Sequence, residues 1–162
     1  MARKPRAPLS AKARAVDLLS RREHGRAELF WKLVKKQVPR GEVEAALDSL
    51  EELGLLDDHR AASGLARYYV ELRGYGPNKL RQVLRRERCF PDYVVSQVFE
   101  ELEVDWRAKC MALAERRGLR GTERKDREKL VRFLIGRGFA MGMCFDAARE
   151  LEGVLKEAEA EE

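Results

Sequence analysis

RGYGPNKLRQVL, residues 73–84, puts Gly74, Gly76 and Pro77 at the centre of a chain otherwise dominated by Ala, Leu, Glu, Arg and Lys. Glycine ends a helix in a left-handed cap without a Cβ penalty, and proline suits the first position of the next helix, where its missing N–H has no partner to lose. The stretch therefore reads as a tight corner between two helices, with Pro77 opening the second. Leu80, Val83 and Leu84 share one face of that second helix, so Lys79, Arg81, Arg85, Arg86 and Arg88 must cover the rest. Arg81 and Arg85 read as one turn apart.

Similar punctuation divides the rest of the chain. His24-Gly25 and Pro39-Arg40-Gly41 separate helices expected over 11–22, 26–37 and 41–53. Beyond them the pattern predicts 58–73, 77–88 and 91–103. After a helix over 105–117 comes the loop Gly118-Leu119-Arg120-Gly121, with Thr122 as a cap, then helices over 123–136 and 140 to about 157. No run alternates as a half-buried strand would.

The charges repeat with the helices. Residues 21–40 hold seven basic and two acidic side chains, and 42–58 seven acidic and none basic. Residues 73–88 hold six basic and one acidic, and 92–105 five acidic and none basic. Residues 116–137 hold nine basic and three acidic, and 146–162 seven acidic and two basic. Apolar anchors follow the same cycle of roughly 50 residues: Leu29 and Leu33 recur as Leu80 and Leu84, Val43 and Leu47 as Val94 and Val98. In the third cycle Phe139, Cys144, Ala148 and Leu151 match Phe90, Val95, Phe99 and Leu102. The expected fold is all-α, three tandem three-helix repeats in an elongated, curved array. It has repeats over 11–56, 57–104 and 105–157, a flexible basic arm over 1–10 and an acidic tail over 158–162.

With 162 residues and 44% apolar content the chain can build a core without a cofactor. Cys89, Cys110 and Cys144 lack metal-ligand spacing and read as reduced core residues. No apolar run is long enough for a membrane span or a signal peptide, which points to a cytoplasmic protein. His24 and His59 sit in no catalytic motif and read as surface or capping residues. Glu51-Glu52 and Asp57-Asp58 read as solvated helix ends, since neighbours on a helix do not face one another. GYGP lacks the lysine and strand context of a phosphate loop. The chain reads as no enzyme. Trp31 and Trp106 are expected to pack between repeats, while Tyr68, Tyr69 and Tyr75 lie near the basic stripe, where a ring can pack on a neighbouring helix or stack on a base.

LSRREHGRAEL (19–29), GLLDDHR (54–60), GYGPNKLRQVL (74–84), VDW (104–106) and RFLIGRGF (132–139) together resemble the successive signatures of the RecX family, regulators of the RecA recombinase. The resemblance implies tandem three-helix repeats lying in the groove of the RecA filament on DNA. It also implies inhibition of RecA ATPase, strand-exchange and co-protease activity, in recombination, DNA repair and the SOS response, by a modulator without catalytic residues; the lack of an obvious dimerisation segment reads as a monomer. Carried over by motif, the residues expected to touch RecA or DNA are Arg21, Arg22, Arg73, Tyr75, Lys79, Arg81, Arg132 and Arg137; the basic face adds Arg85. Two places depart from the family pattern: Ala61-Ala62 stands where an aromatic is usual, and Arg88-Cys89-Phe90 where a Lys-Gly-apolar corner is usual. The rival reading is a helix-turn-helix transcriptional regulator, which the short helices and glycine corners also suit.

Overall fold

Apolar residues recur at helical spacing throughout, and a computed structural model of the protein turns each run into a helix. It describes residues 9–160 other than Arg120 and Thr122. The first eight residues of the expected arm, the Thr122 cap and the final two residues of the expected tail lie outside the described residues.

Among the described residues every regular element is helical: α1 Ala11–Leu19, α2 Arg26–Lys35, α3 Arg40–Glu52, α4 Asp58–Glu71, α5 Pro77–Gln82 continued by a π turn over Val83–Glu87, α6 Asp92–Glu101, α7 Trp106–Arg117, α8 Arg124–Gly136 and α9 Met141–Ala160. The helices expected from the sequence are all present, with ends that move by a few residues. The largest shifts, about three residues, are at α9, which runs on to Ala160, and at α1, which stops at Leu19 rather than near residue 22. There the Ser20 hydroxyl donates to the Asp17 carbonyl at 2.8 Å and the chain turns away. Ser10 caps the other end of α1, its hydroxyl accepting from the Ala13 N–H, and Asp105 caps α7 by accepting from Ala108.

By their contacts the residues group into two compact units. One runs through Gly64 and takes in Arg85–Val98; the other comprises Leu65–Leu84 and the chain from Phe99 on. The core of the first unit is built by Leu29 and Leu33 of α2 against Val43, Leu47 and Leu50 of α3, closed by Ala15 and Leu56. In the second unit Cys110 and Leu113 of α7, Leu130 and Leu134 of α8, and Phe139, Cys144 and Ala148 form the corresponding core. Each fully buried leucine contributes roughly 1.5–3 kcal/mol of transfer free energy.

The corner at 73–77 takes the expected form. Gly74 has φ +63°, the Tyr75 N–H returns to the Tyr69 carbonyl at 3.0 Å, and Pro77 is the first residue of α5. A second kind of corner follows α2, the π turn and α8. There Gln37, Cys89 and Gly138 take φ of 63°, 57° and 91°, and each precedes a buried apolar residue, Val38, Phe90 or Phe139. The interval from Leu33 to Val38 equals that from Leu134 to Phe139, whereas Leu84 to Phe90 is one residue longer. The π turn at 83–87 lies in that longer interval and takes up the extra residue.

Cys89 is exposed rather than part of the core, because its corner turns it outward; Cys110 and Cys144 are buried, and all three are free thiols. Burial pushes the Cys110 thiol up to about 12 and raises that of Cys144 too.

Candidate functional site

The motif segments meet one another. In the second unit, RGYGPNK and RGF interlock through their backbones: the Gly76 N–H donates to the Arg137 carbonyl at 2.7 Å and the Asn78 N–H to the Gly138 carbonyl at 3.0 Å. The Arg137 guanidinium reaches back to the Arg73 carbonyl at 2.5 Å and lies 5.2 Å from the Phe133 ring centroid. A Cβ on Gly76 would stand 2.6 Å from the Gly138 carbonyl carbon, and one on Gly138 would strike the backbone of Lys79. Both glycines are there because two chain segments touch.

Cations surround this junction. Tyr75 stacks on Tyr69, with centroids 5.2 Å apart and planes 2° from parallel, and the Lys79 ammonium lies 5.3 Å from the Tyr75 centroid. Arg81 sits 4.4 Å over Phe99, which in turn stacks near Trp106. A guanidinium held over a ring keeps its in-plane N–H donors available to a phosphate or carboxylate. Arg73 and Arg132 are exposed. Trp106 packs against the second unit's core.

In the first unit the corresponding junction sets Gly25 against Phe90, whose ring edge would lie 2.6 Å from a Cβ on Gly25. Around it the cations are committed internally. Arg22 and Lys32 clasp the Glu28 carboxylate, Arg88 lies 3.6 Å from it, and the His24 Nε2 4.0 Å away. Burial alone would raise the Glu28 pKa, but the bonds from Arg22 and Lys32 hold it at about 2. His24 is buried, 2% exposed, and not a surface or capping residue. Its ring is wedged between Lys32 Nζ, 2.9 Å from Nε2, and the Arg22 carbonyl, 2.9 Å from Nδ1. An ammonium only donates and a carbonyl only accepts, so the ring is neutral with its proton on Nδ1. Burial accordingly lowers its pKa, and the Arg22 and Lys32 charges add to that.

The rest of the first unit's motifs is structural in the same sense. Asp57 accepts from the Arg60 N–H at 2.9 Å at the head of α4, and Asp58 accepts from the Arg26 N–H at 2.6 Å at the head of α2. The acid pair serves two helix ends. Arg26 spans Asp48 and Glu51 at 2.6 Å each, and Arg60 pairs with Glu23 at 2.8 Å. Arg21 is exposed and pairs with Asp17 at 3.0 Å. Arg85 pairs with Asp92 at 2.9 Å. Arg81 and Arg85 do not act as successive positions of one α turn, because Arg85 belongs to the π turn, whose wider winding breaks the four-residue alignment.

Trp31, expected to pack between repeats, is instead 55% accessible. Sequence reasoning also missed Phe99 as the platform under Arg81 and the cluster around Glu28. Glu28 had one available signal: Arg22, His24 and Lys32 lie within six residues of it, two of them at helical spacing.

No described helix is long and apolar enough to cross a membrane. Residues 11–50 match the family described as RecX, first three-helix domain. The Regulatory protein RecX of Pseudomonas entomophila (strain L48) is 39% identical over 138 residues, 84% of this chain and 88% of the relative. That of Halorhodospira halophila (strain DSM 244 / SL1) is 43% identical over 136 residues, 83% of each. The crystal structure of RecX from Lactobacillus salivarius shares the fold, with a TM-score of 0.74 over 88% of this chain and 94% of that one at 21% identity. With such identity to regulatory proteins over most of both lengths, and the same helical fold, this chain belongs to the RecX family.

Proposed function

We propose that the chain binds RecA and the RecA–DNA filament and inhibits RecA, lowering its ATPase, strand-exchange and co-protease activity without catalysis of its own. It acts as a cytoplasmic monomer in recombination, DNA repair and the SOS response, with 11–56, 57–104 and 105–157 as its repeats. The observation that carries the reading is the second unit's junction. Family signature segments interlock there, with Lys79 over Tyr75, Arg81 over Phe99 and Arg137 bonded to the Arg73 carbonyl, and Arg73 and Arg132 are exposed. A rigid basic corner suits a partner with fixed negative charges, because its cations lose little freedom on binding. Among the first unit's candidates Arg21, Arg22 and Arg85 are all exposed, and each is already in an ion pair, with Asp17, Glu28 and Asp92 respectively.

The test is DNA-dependent ATP hydrolysis by RecA as this protein is titrated in below one molecule per RecA. The expected result is loss of hydrolysis, weakened about tenfold or more in concentration when Arg73, Lys79, Arg81 and Arg132 are all replaced by alanine. If these cations neutralise phosphates, the salt dependence of inhibition should become shallower by up to about 0.9 for each phosphate the variant no longer engages. Helical content should stay the same. No inhibition by the wild-type chain, together with tight binding to one duplex sequence, would put the helix-turn-helix regulator in its place.

A further inference from the structure

Trp31 is one of several large apolar side chains that the first unit leaves exposed, with Leu53, Leu55 and Tyr93. Trp31 stands at the side of a groove on the first unit, beside Phe30, Pro91 and the carboxylates of Glu44, Asp48 and Asp58. The Phe30 ring meets Trp31 edge to face, 5.3 Å between centroids at 85°, which fixes the indole orientation. The exposure follows from the sequence: Leu29 and Leu33 take the core stripe of α2, and Trp31, two residues from each, is turned to the opposite side. The indole already holds one cation, the Arg40 guanidinium 5.6 Å from its centroid.

The charge of the groove says what it suits. Glu44 and Asp48 lie one turn apart on α3, flanking the buried Val43 and Leu47. Arg26 neutralises Asp48 and Glu51, but among the described residues Glu44 has no ion pair. All seven charged residues over 42–58 are acidic. Arg26 also lines the groove and Arg40 lies on the indole, so the carboxylate that favours an incoming cation is the unpaired Glu44. An aromatic face beside an unpaired carboxylate recognises a lysine or arginine side chain, the ring taking the cation face and the carboxylate its N–H groups.

We infer that this groove docks a lysine- or arginine-bearing segment of the protein partner, and so contacts protein while the basic corner contacts negative charge. This rests on RecA being that partner. Tryptophan is enriched at interface hot spots, where its large ring buries much area with only two side-chain torsions to fix, and Trp31 is placed to be one. The groove gives the chain a polarity along its own sequence: the acidic, aromatic side of the first unit is selective for protein, whichever surface the cations of the second unit meet.

The experiment measures binding of the full chain to RecA filaments on single-stranded DNA, and separately to the same DNA without RecA, for wild type, Trp31→Ala, Glu44→Lys and Arg40→Gln. Trp31→Ala is expected to weaken filament binding about tenfold or more, and Glu44→Lys several-fold, with melting temperature and DNA binding unchanged in both. Arg40→Gln, which uncovers the indole for an incoming cation, is expected to leave filament binding equal or tighter. Filament binding by wild type with no loss in Trp31→Ala and Glu44→Lys would overturn the docking groove and leave the proposed function standing. Parallel losses in Trp31→Ala and Arg40→Gln, seen also on DNA alone, would overturn it in favour of a nucleic-acid contact. No binding of wild type to filaments at all would overturn both readings together.

Discussion

The two junctions do the same mechanical job with different chemistry. In the second unit Gly76 and Gly138 bring two backbones into direct contact, sealed by N–H to carbonyl bonds from Gly76 and Asn78. In the first, Gly25 faces a phenylalanine ring, and the neighbourhood is held by charge: Glu28 under Arg22 and Lys32, with neutral His24 between them. Backbone contact tolerates no added atom but is indifferent to pH and salt. A charge cluster has slack in its side chains but depends on protonation. The second junction is therefore steric and the first electrostatic, and substitutions should separate them.

The largest effect is expected at the steric junction. Gly138→Ala adds a Cβ against the Lys79 backbone and imposes a side chain on φ +91°, and should cost about 3 kcal/mol or more. Gly25→Ala meets only the far edge of the Phe90 ring. That ring can give way, at a cost of roughly 1–2 kcal/mol. Trp106 lies in the second unit and Trp31 in the first, so urea titrations of single-tryptophan variants report each unit by fluorescence. Equal costs at the two sites, or a larger one for Gly25→Ala, would remove the distinction.

The electrostatic junction comes next. Glu28→Gln keeps hydrogen-bond acceptors but deletes the charge that Arg22 and Lys32 share, and should cost about 2 kcal/mol near neutral pH. Its mark is in the acid limb. Glu28 has a folded pKa of about 2 against an ordinary 4.5, so the unfolded chain binds the proton more readily, and its stabilisation is complete above 4.5 and lost as pH falls towards 2. His24 has the same sign: its lowered pKa means the unfolded chain takes up the proton first as pH drops through the ordinary value of 6.5. Melting temperature of wild type should therefore fall in two steps on acidification, and Glu28→Gln should flatten the lower one. An unchanged slope between pH 4.5 and 2 in that variant would contradict the assignment.

What was legible in the sequence follows a physical pattern. Helix positions and corners could be read because glycine, proline and capping residues act locally, so Gly74, Pro77 and Asp57 could be taken one at a time. The anchors Leu29, Leu33, Leu80 and Leu84 were legible for the same reason, being spaced along single helices. The meeting of Gly76 with Gly138, and of Gly25 with Phe90, joins residues more than sixty positions apart and leaves no local trace. His24 looked like a surface or capping residue because it lies at a helix junction in no motif; it is buried, while the charges beside it pair with distant partners, Arg22 with Glu28, Glu23 with Arg60, and Arg26 with Asp48 and Glu51. Trp31 looked like core because tryptophan usually is, although its place two residues from both Leu29 and Leu33 already turned it outward. Of the basic candidates, type and position were legible, but not which ones the fold uses itself, since that depends on distant acceptors such as the Arg73 carbonyl for Arg137.

The smallest effect tests the corners rather than the junctions. Gln37, Cys89 and Gly138 occupy one left-handed position in three settings, and only the third is glycine. Gly138 is held there by the Lys79 backbone against it. Cys89 is exposed, and the long approach of its Sγ to the Arg86 carbonyl, 3.8 Å, is a weak bond. A β-carbon at φ near +57° costs about 1 kcal/mol that glycine avoids, partly offset by glycine's greater freedom in the unfolded chain. Cys89→Gly should therefore stabilise the first unit by about 0.5 kcal/mol, and Gln37→Gly by a similar amount, both readable as a small rise in the urea midpoint reported by Trp31. The signs oppose that of Gly138→Ala at the matching position. If Cys89→Gly instead destabilises, the π turn that precedes it, rather than the backbone angle, governs that corner, and the repeat's extra residue is accommodated only with a side chain in place.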